Sequence, residues 1–486
     1  NLFLKNDKLI VFGSQPQYHI CYGYYRGRYE SDADVNIYDI SDRNNPEIDQ
    51  EIKIDGSFID ARLIGNNIYI ITSENTYNIY REIDGNETIS IPEISINNVS
   101  KKIPVESIHY VNSSQKIDSL TYIVAVDLET NEVNQESFMF SSSSTLYVSK
   151  NNIYLTYSSY EYLEPDISRG RIYGYSSTKT IIHKISINDN NIEYISKGEV
   201  PGSIINQFSM DEHNGFFRIA TQTNDYSKDK CSNVFVLNDT LKIVGKITDI
   251  APNENMHSAR FMGNRAYLVT FLNIDPFFVI DLSDPYNPEI LGELKIPGYS
   301  DYLHPYDENH VIGIGKDSDA SIDSDKIHSD NAVFYTAILG VKIALFDVTD
   351  PENPKEISKV VIGDRGSNTP VLHNHKALLF DREKELFVIP VSEVERDEDT
   401  GDIVDSFQGA YVYNLNSKDG FEYRGKISHE DNEKSSNRYR YYDYYSSFSQ
   451  IKRSLFIEDT LYTISDSMIK MNDLRDLDKL NTIALS

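Results

Sequence analysis

A ten-residue phrase that recurs along the chain constrains its fold more than any other feature. Asp281 to Ile290 reads DLSDPYNPEI, Asp347 to Ile357 repeats it as DVTDPENPKEI, and Asp39 to Ile48 as DISDRNNPEI. Each copy follows an alternating apolar run (VNIY, FFVI, KIALF) and precedes another (EIKI, EILGELKI, EISKVVI), the pattern of a strand, a turn and a strand. Asp and Asn side chains bond nearby backbone and Pro presets φ, so these residues specify the turn. Degenerate copies begin at Asp127, Ile187, Leu237, Asn414 and Asp473, which makes eight turns. Between successive turns lies a second hairpin about a short Asn or Gly turn, such as LIGNNIYII at 63–71 and FMGNRAYLVTF at 261–271.

Four strands per unit, repeated eight times over 486 residues, gives about 61 residues per unit and reads as an all-β protein, a β-propeller of eight four-stranded blades. Seven blades is the alternative count. A pair of β-sandwiches would not be expected to repeat one turn phrase eight times. The first blade is expected to run NLFLKN, KLIVFGS, DVNIYDI, EIDQEIKI from inner to outer strand, and the last SLFIED, TLYTISD, MIKMNDL, KLNTIAL. On this reading residues 1–486 form a single propeller domain with residues 75–118 inserted in blade two, and the ring closes without a blade shared between the chain ends.

The stretches PGSIINQFSMDEHNGFFRIAT (201–221), HSARFMGNRAYLVTF (257–271), FFVIDLSDPYNPEILGELKIPGYSDYLHPYDENHVIGIGK (277–316) and HKALLFDREKELFVIPV (375–391) carry a family resemblance. They are similar to the secreted β-propeller domain family of archaea and bacteria, a distant relative of the WD-repeat propellers. The similarity is dense from 200 to 415 and looser on either side, where long insertions interrupt the blades. The resemblance implies a propeller fold and export, and it brings no catalytic residue with it.

Charge and composition remove several function classes. With 75 Asp plus Glu against 46 Lys plus Arg the net charge is −29, which argues against a nucleic-acid partner, because phosphate backbones are held by clustered cations. No apolar run is long enough to cross a membrane as a helix, and no export signal opens the chain. It begins with Asn1 rather than Met, which suits a trimmed protein. The total absence of Trp excludes the eight-bladed quinoprotein dehydrogenases, the sialidase Asp-box and the kelch pattern, each of which uses Trp. A Gly-rich phosphate loop, a G-x-S-x-G elbow and HExxH are absent as well.

In a propeller the connections from second to third strand, and from outer strand to the next inner one, lie on one face. The long insertions all belong to those connections: 15–34, 75–118, 158–178, 317–340, 393–408 and 430–448. Loops on a rigid scaffold are where function concentrates, although long surface loops also cost little. Four of these insertions hold 17 of the 35 tyrosines in 104 residues. Tyr18, Tyr22, Tyr24, Tyr25 and Tyr29, with Tyr439, Tyr441, Tyr442, Tyr444 and Tyr445, are the candidate binding residues, since Tyr combines a stiff ring with a hydroxyl. The alternative is that these rings pack the loops against one another.

Asp397, Asp399 and Asp402, with Gly401 for a tight turn, form an oxygen-rich loop of the kind that takes Ca²⁺. Asp317, Asp319, Asp323, Asp325 and Asp330 form a second, without an EF-hand glycine. In so acidic a chain the competing reading is a solvated surface. His257, His304 and His373 are each expected on an inner strand facing the channel, near Asp301, Arg260 and Arg218. Their spacing shows no convergence of ligands, so water-bridged channel groups are the plainer expectation. Cys21 and Cys231 are too few for a disulfide scaffold, and both fall in second-to-third-strand connections where one disulfide is within reach. N-glycosylation sequons stand at Asn86, Asn98, Asn112 and Asn238.

These features point to a secreted or cell-surface propeller acting as a binding or assembly module without catalysis of its own. Its partner would be an extracellular protein, a polysaccharide or further copies of itself. Two other classes stay open: an extracellular polymer-cleaving hydrolase or lyase using acidic residues on the insertion-bearing face, and a repeating subunit of a surface layer or filament.

Overall fold

A computed structural model describes all residues except 1, 20–27, 76–79, 84–85, 90–91, 111–118, 141–144, 163–174, 225–229, 272–273, 320–337, 398–399, 431–447 and 486. Most of the described strands form eight sheets in chain order, each built on four antiparallel strands, and Tyr80–Ile83 with Asn86–Ile89 forms a separate two-stranded sheet. Blade one comprises Leu2–Lys5, Lys8–His19, Arg28–Asp39 and Glu47–Ile54; blade two comprises Ser57–Ile64, Asn67–Asn75, Ser119–Asp127 and Val133–Phe140. Blade three runs Thr145–Val148, Asn152–Tyr162, Tyr175–Asn188 and Asn191–Pro201. Blade four runs Met210–His213, Phe216–Thr223, Cys231–Leu237 and Ile243–Ile250; blade five runs Asn255–Met262, Arg265–Phe271, Ile274–Asp281 and Glu289–Pro297. Blade six comprises Tyr299–Asp307, His310–Ser318, Ile338–Asp347 and Lys355–Ile362. Blade seven comprises Leu379–Asp381, Leu386–Arg396, Ile403–Asn416 and Gly420–Ile427, and blade eight Arg453–Ile457, Thr460–Ile464, Met468–Asp473 and Lys479–Ala484. No sheet mixes strands from the two ends of the chain, as the repeat pattern predicts. The residues cluster into two compact units, Asn1–Ser203 with Leu237–Ile243, and Ile204–Val236 with Val244–Ser486.

Sequence explains the layering. Second and third strands are apolar on both faces, as in Ser119–Asp127 (SLTYIVAVD), where all but the last residue are buried. Such strands need cover on either side. Outer strands alternate instead, and Lys355–Ile362 (KEISKVVI) presents every other side chain to solvent. The cores accordingly lie between successive blades. In the first unit one core joins blades one and two through Val35, Ile52, Ile70 and Val124, and another joins blades two and three through Phe138, Leu155 and Ile185. In the second unit equivalent layers join blades four to five, five to six, six to seven and seven to eight.

The recurrent turn does what its composition requires. Asp39, Asp281 and Asp347 each end a third strand, and each carboxylate accepts the backbone N–H two residues on, from Ser41, Ser283 and Thr349 at 2.9, 3.0 and 2.9 Å. Asp127 and Asp473 hold the same place and bond Glu129 and Arg475. Asn238 and Asn416 form comparable Asx turns in blades four and seven. Hydrogen bonds from the Ser41 N–H and hydroxyl hold the Asp39 carboxyl below the usual carboxylate range. Blade three departs from the phrase: a two-residue turn at Asp189 and Asn190, with Asp189 at φ 50°, joins its strands directly.

From blade two to blade eight, the turn docks on the outer strand of the blade before it. Gln50 Nε2 donates to Asn131 O at 3.2 Å, and Asn134 Nδ2 to Asn190 O at 2.9 Å. Gly198 lies against Leu241, Gly245 against Pro285, and Gly292 against Pro351 and Glu352. The Phe421 N–H bonds Ser358 Oγ at 3.1 Å, and Arg424 bonds the Leu474 carbonyl. At or beside these sites most outer strands bulge: Asp49, Ile195, Leu291, Ile357, Arg424 and Leu480 are each the extra residue.

The insertion in blade two is structured where it is described. Glu93–Ile96 and Val99–Lys102 form a hairpin about Asn97 and Asn98, both with positive φ, and Ile96 pairs with Ile52, so the hairpin extends the sheet of blade one. Ile108–Tyr110 pairs in parallel with Ser137–Met139, covering the edge of blade two. Outer edges that would otherwise offer free ladder groups are thus occupied by chain from within the same unit.

A β-carbon on Gly292 would fall 2.5 Å from Pro351 O and 2.7 Å from Glu352 O. Gly292→Ala should therefore destabilise the protein by about 1–3 kcal/mol in urea unfolding, the usual cost of overpacking. An unchanged midpoint would show that the turn yields freely.

Candidate functional site

Two of the three candidate histidines, His257 and His304, lie on first strands in the second unit, and His373 does not. In blades five and six the first strand carries a bulge, at His257 between Met256 and Ser258, and at Asp301 between Ser300 and Tyr302. The two bulged residues face each other across the blades, His257 Nδ1 bonding Asp301 Oδ1 at 2.9 Å. The adjacent Ser258 hydroxyl donates to Ser300 O at 2.5 Å, fixing the same junction. The His257 ring packs on Tyr299 and Phe271, with centroids 4.3 and 5.7 Å away. Lys316, on the neighbouring strand of blade six, donates to Ser367 O, and burial lowers its amine to about 8 while Asp301 opposes that shift.

An aromatic and cationic group gathers Tyr302, His304 and Arg260 of the same strands with Phe208 and His375 of two short 3₁₀ turns. Phe208 meets His375 at 4.9 Å and Tyr302 at 5.3 Å, with the Arg260 guanidinium 4.7 Å over its ring. The Tyr302 hydroxyl and His304 Nδ1 share a 2.9 Å hydrogen bond. Burial, reinforced by Arg260 and His375, pushes the His304 imidazole down to about 4. Arg218 is on the second strand of blade four rather than an inner strand; it pairs with Asp211 and donates to Gly263 O at 2.6 Å, tying blade four to blade five. His373 differs from expectation. Thr369 caps a short 3₁₀ turn at Pro370–Leu372, so His373 ends that turn and is exposed, and His375 takes the inward place. Pro370, which presets a turn and lacks an N–H, was the available signal.

Among the loop candidates, Tyr18 and Tyr29 are paired across the second and third strands of blade one. Tyr22, Tyr24, Tyr25, Tyr439, Tyr441, Tyr442, Tyr444 and Tyr445 lie outside the described residues, as do Cys21, Asn112, Asp323, Asp325, Asp330 and Asp399. Cys231 is buried at the start of its strand. Asp397 uses its carboxylate locally, accepting the Thr400 N–H at 2.9 Å, while its own N–H bonds Asp402 O. Asp317 is within a strand rather than a loop, 3.8 Å from Lys359 Nζ, and Asp319 follows it at the edge of the described chain. Asn86 starts a short strand, Asn98 is in the exposed hairpin turn, and the Asn238 side-chain Oδ1 accepts the Thr240 and Lys242 N–H groups.

Two buried histidines, His183 and His429, and the part-buried His304 are expected to make the fold acid-sensitive. Burial lowers His183 to about 3, and His304 and His429 to about 4; His429 is held by Ser465 and Thr463 at 2.9 and 2.8 Å. The unfolded imidazole takes up a proton near pH 6.5, above these folded values. Their stabilising contribution is therefore complete above pH ~6.5 and is lost as pH falls towards the folded values, at ~1.4 kcal/mol per pH unit for each histidine. Urea unfolding between pH 6.5 and 4.5 should show this decline, and His304→Gln should make it shallower. A pH-independent midpoint over that range would contradict the assignment.

Relatives place the chain. A protein of Archaeoglobus fulgidus is 29% identical over 510 aligned positions, covering 91% of this chain and 71% of its own length. One from Methanocaldococcus jannaschii is 27% identical, covering 90% and 71%. Among solved structures, a eukaryotic initiation factor aligns over 94% of this chain and 85% of its own, with TM-score 0.45 and 8% identity. The C-terminal WD40 domain of Sif2 aligns over 71% and 73%, with TM-score 0.33 and 8% identity. The family model of the β-propeller domain matches residues 1–477, and the chain belongs to that family.

Proposed function

We propose that this propeller is a binding or assembly module without catalysis of its own, working outside the cell through the ends of its sheets that carry the long connections. The supporting observation is how connection length is distributed. In the described blades the turns from first to second and from third to outer strand are short. Every long connection joins a second strand to a third, as at 75–119 and 318–338, or an outer strand to the next inner one, as at 427–453. Within each sheet those connections share one end.

Polar groups on the first and second strands support the same reading. His257 with Asp301 and Arg218 with Asp211 are engaged in contacts that join or brace blades. A tyrosine-rich loop surface suits an extracellular protein or the faces of a polysaccharide. Replacing Tyr441, Tyr442, Tyr444 and Tyr445 together with Ser should abolish self-association in light scattering and co-sedimentation with cell-envelope material. Tm should move by no more than about 2 °C, as surface substitutions do. Retained binding with a large fall in Tm would assign the cluster to packing and remove the proposal.

A further inference from the structure

Two of the four sequons, at Asn98 and Asn238, lie wholly among residues whose side chains the structure describes, and the fold treats them in opposite ways. In the blade-four turn the Asn238 Oδ1 accepts the Thr240 N–H at 3.2 Å, the Thr240 hydroxyl at 3.0 Å and the Lys242 N–H at 2.9 Å. Leu241 of the same turn is buried and lies against Gly198, on the outer strand of blade three. Presenting this sequon to an enzyme would break the Asx turn and pull Leu241 from its seat.

The sequon of Asn98, Val99 and Ser100 carries no such load. Strand pairing in its hairpin closes at Ile96 and Val99, so Asn98 stands outside the ladder. The neighbouring residue anchors the hairpin to blade one instead: the Asn97 N–H donates to Glu51 O and Asn97 Oδ1 accepts the Glu51 N–H, both at 2.9 Å. Asn98 Nδ2 reaches Glu51 Oε2 at 3.4 Å on the exposed surface, near the long limit of a hydrogen bond. Asn98, Val99 and Ser100 are all exposed, Val99 by 71%. Asn98 has φ 64°, a conformation that Asn adopts more readily than most residues. Val99–Lys102 is the last strand in its sheet, so no further strand of that sheet crowds a large substituent at this turn.

We propose that Asn98 is the acceptor of an N-linked glycan and that Asn238, in the folded protein, is not. The inference rests on the extracellular reading above, which brings the chain to the sugar donor. In the transfer Asn98 Nδ2 forms a bond to the anomeric carbon of a lipid-linked oligosaccharide. The bond from that carbon to the lipid phosphate oxygen breaks, the phosphate leaves with the electron pair, and the amide gives one proton to a base of the transferase. The Ser100 hydroxyl completes the acceptor motif.

The test uses an oligosaccharyltransferase that accepts both sequons as free peptides, supplied with lipid-linked oligosaccharide and the purified, folded full chain. Glycopeptide mass spectrometry should then find a glycan at Asn98 and at least tenfold lower occupancy at Asn238. Ser100→Ala removes the motif without touching the turn and should abolish the glycan at Asn98, whereas Ser100→Thr should retain it. The Tm of Ser100→Ala should stay within about 2 °C of the parent, as for other surface substitutions, so that loss of the glycan is not loss of the fold. An unmodified Asn98 in the folded chain, or equal occupancy at Asn238, would overturn the proposal. Because the reaction is run on purified protein, that failure would count against the acceptor site alone, while the extracellular reading is decided by the tyrosine substitutions.

Discussion

The contact between an outer strand and the turn of the following blade is the step on which the rest of the arrangement depends. It recurs from Gln50 and Asn131 in the first unit to Arg424 and Leu474 in the second, yet its chemistry varies. Where the outer strand carries Gly, as at 198, 245 and 292, backbone meets backbone and no side chain fits between them. Where it carries Gln, Asn, Ser or Arg, a hydrogen bond spans the gap instead. The constant element is geometric: the turn must protrude and the strand must recede. The Asx bonds of Asp39, Asp281 and Asp347 shape the turn, and the bulges at Asp49, Leu291 and Ile357 bend the strand. With that spacing set, the apolar second and third strands come to packing distance and form the layers between blades.

The turn phrase and the four-strand unit were legible in the sequence because both are local. An aspartate two residues from the N–H it accepts, and an alternating run beside it, need no knowledge of the rest of the chain. Blade boundaries at both chain ends follow the expected strands for the same reason. What escaped notice is what depends on distant partners. Nothing in EISINNVSKK announces that Ile96 will pair with Ile52 of the preceding blade, although the two Asn residues with positive φ do mark the hairpin turn. The bulges that turn His257 and Asp301 towards each other are likewise a register effect, settled by neighbouring strands. His375 rather than His373 faces inward because Thr369 and Pro370 build a short turn that shifts the phase.

Function follows from a division of labour within each sheet. One end is closed by short turns that hold the blades to each other. The other end carries every long connection, and there length and sequence vary without disturbing the step contacts. On the inner strands, His304 is kept neutral by burial and by Arg260.

The claim that this step couples one blade to the next is tested most directly by hydrogen exchange with mass spectrometry on Gly245→Ala, where a β-carbon would collide with Pro285. Blade-to-blade coupling predicts faster exchange in Val244–Ile250 and around the Asp281–Glu289 turn, with Lys355–Ile362 of blade six unchanged. Exchange that stays as in the parent at both segments, or that rises equally throughout blades four to eight, would contradict it.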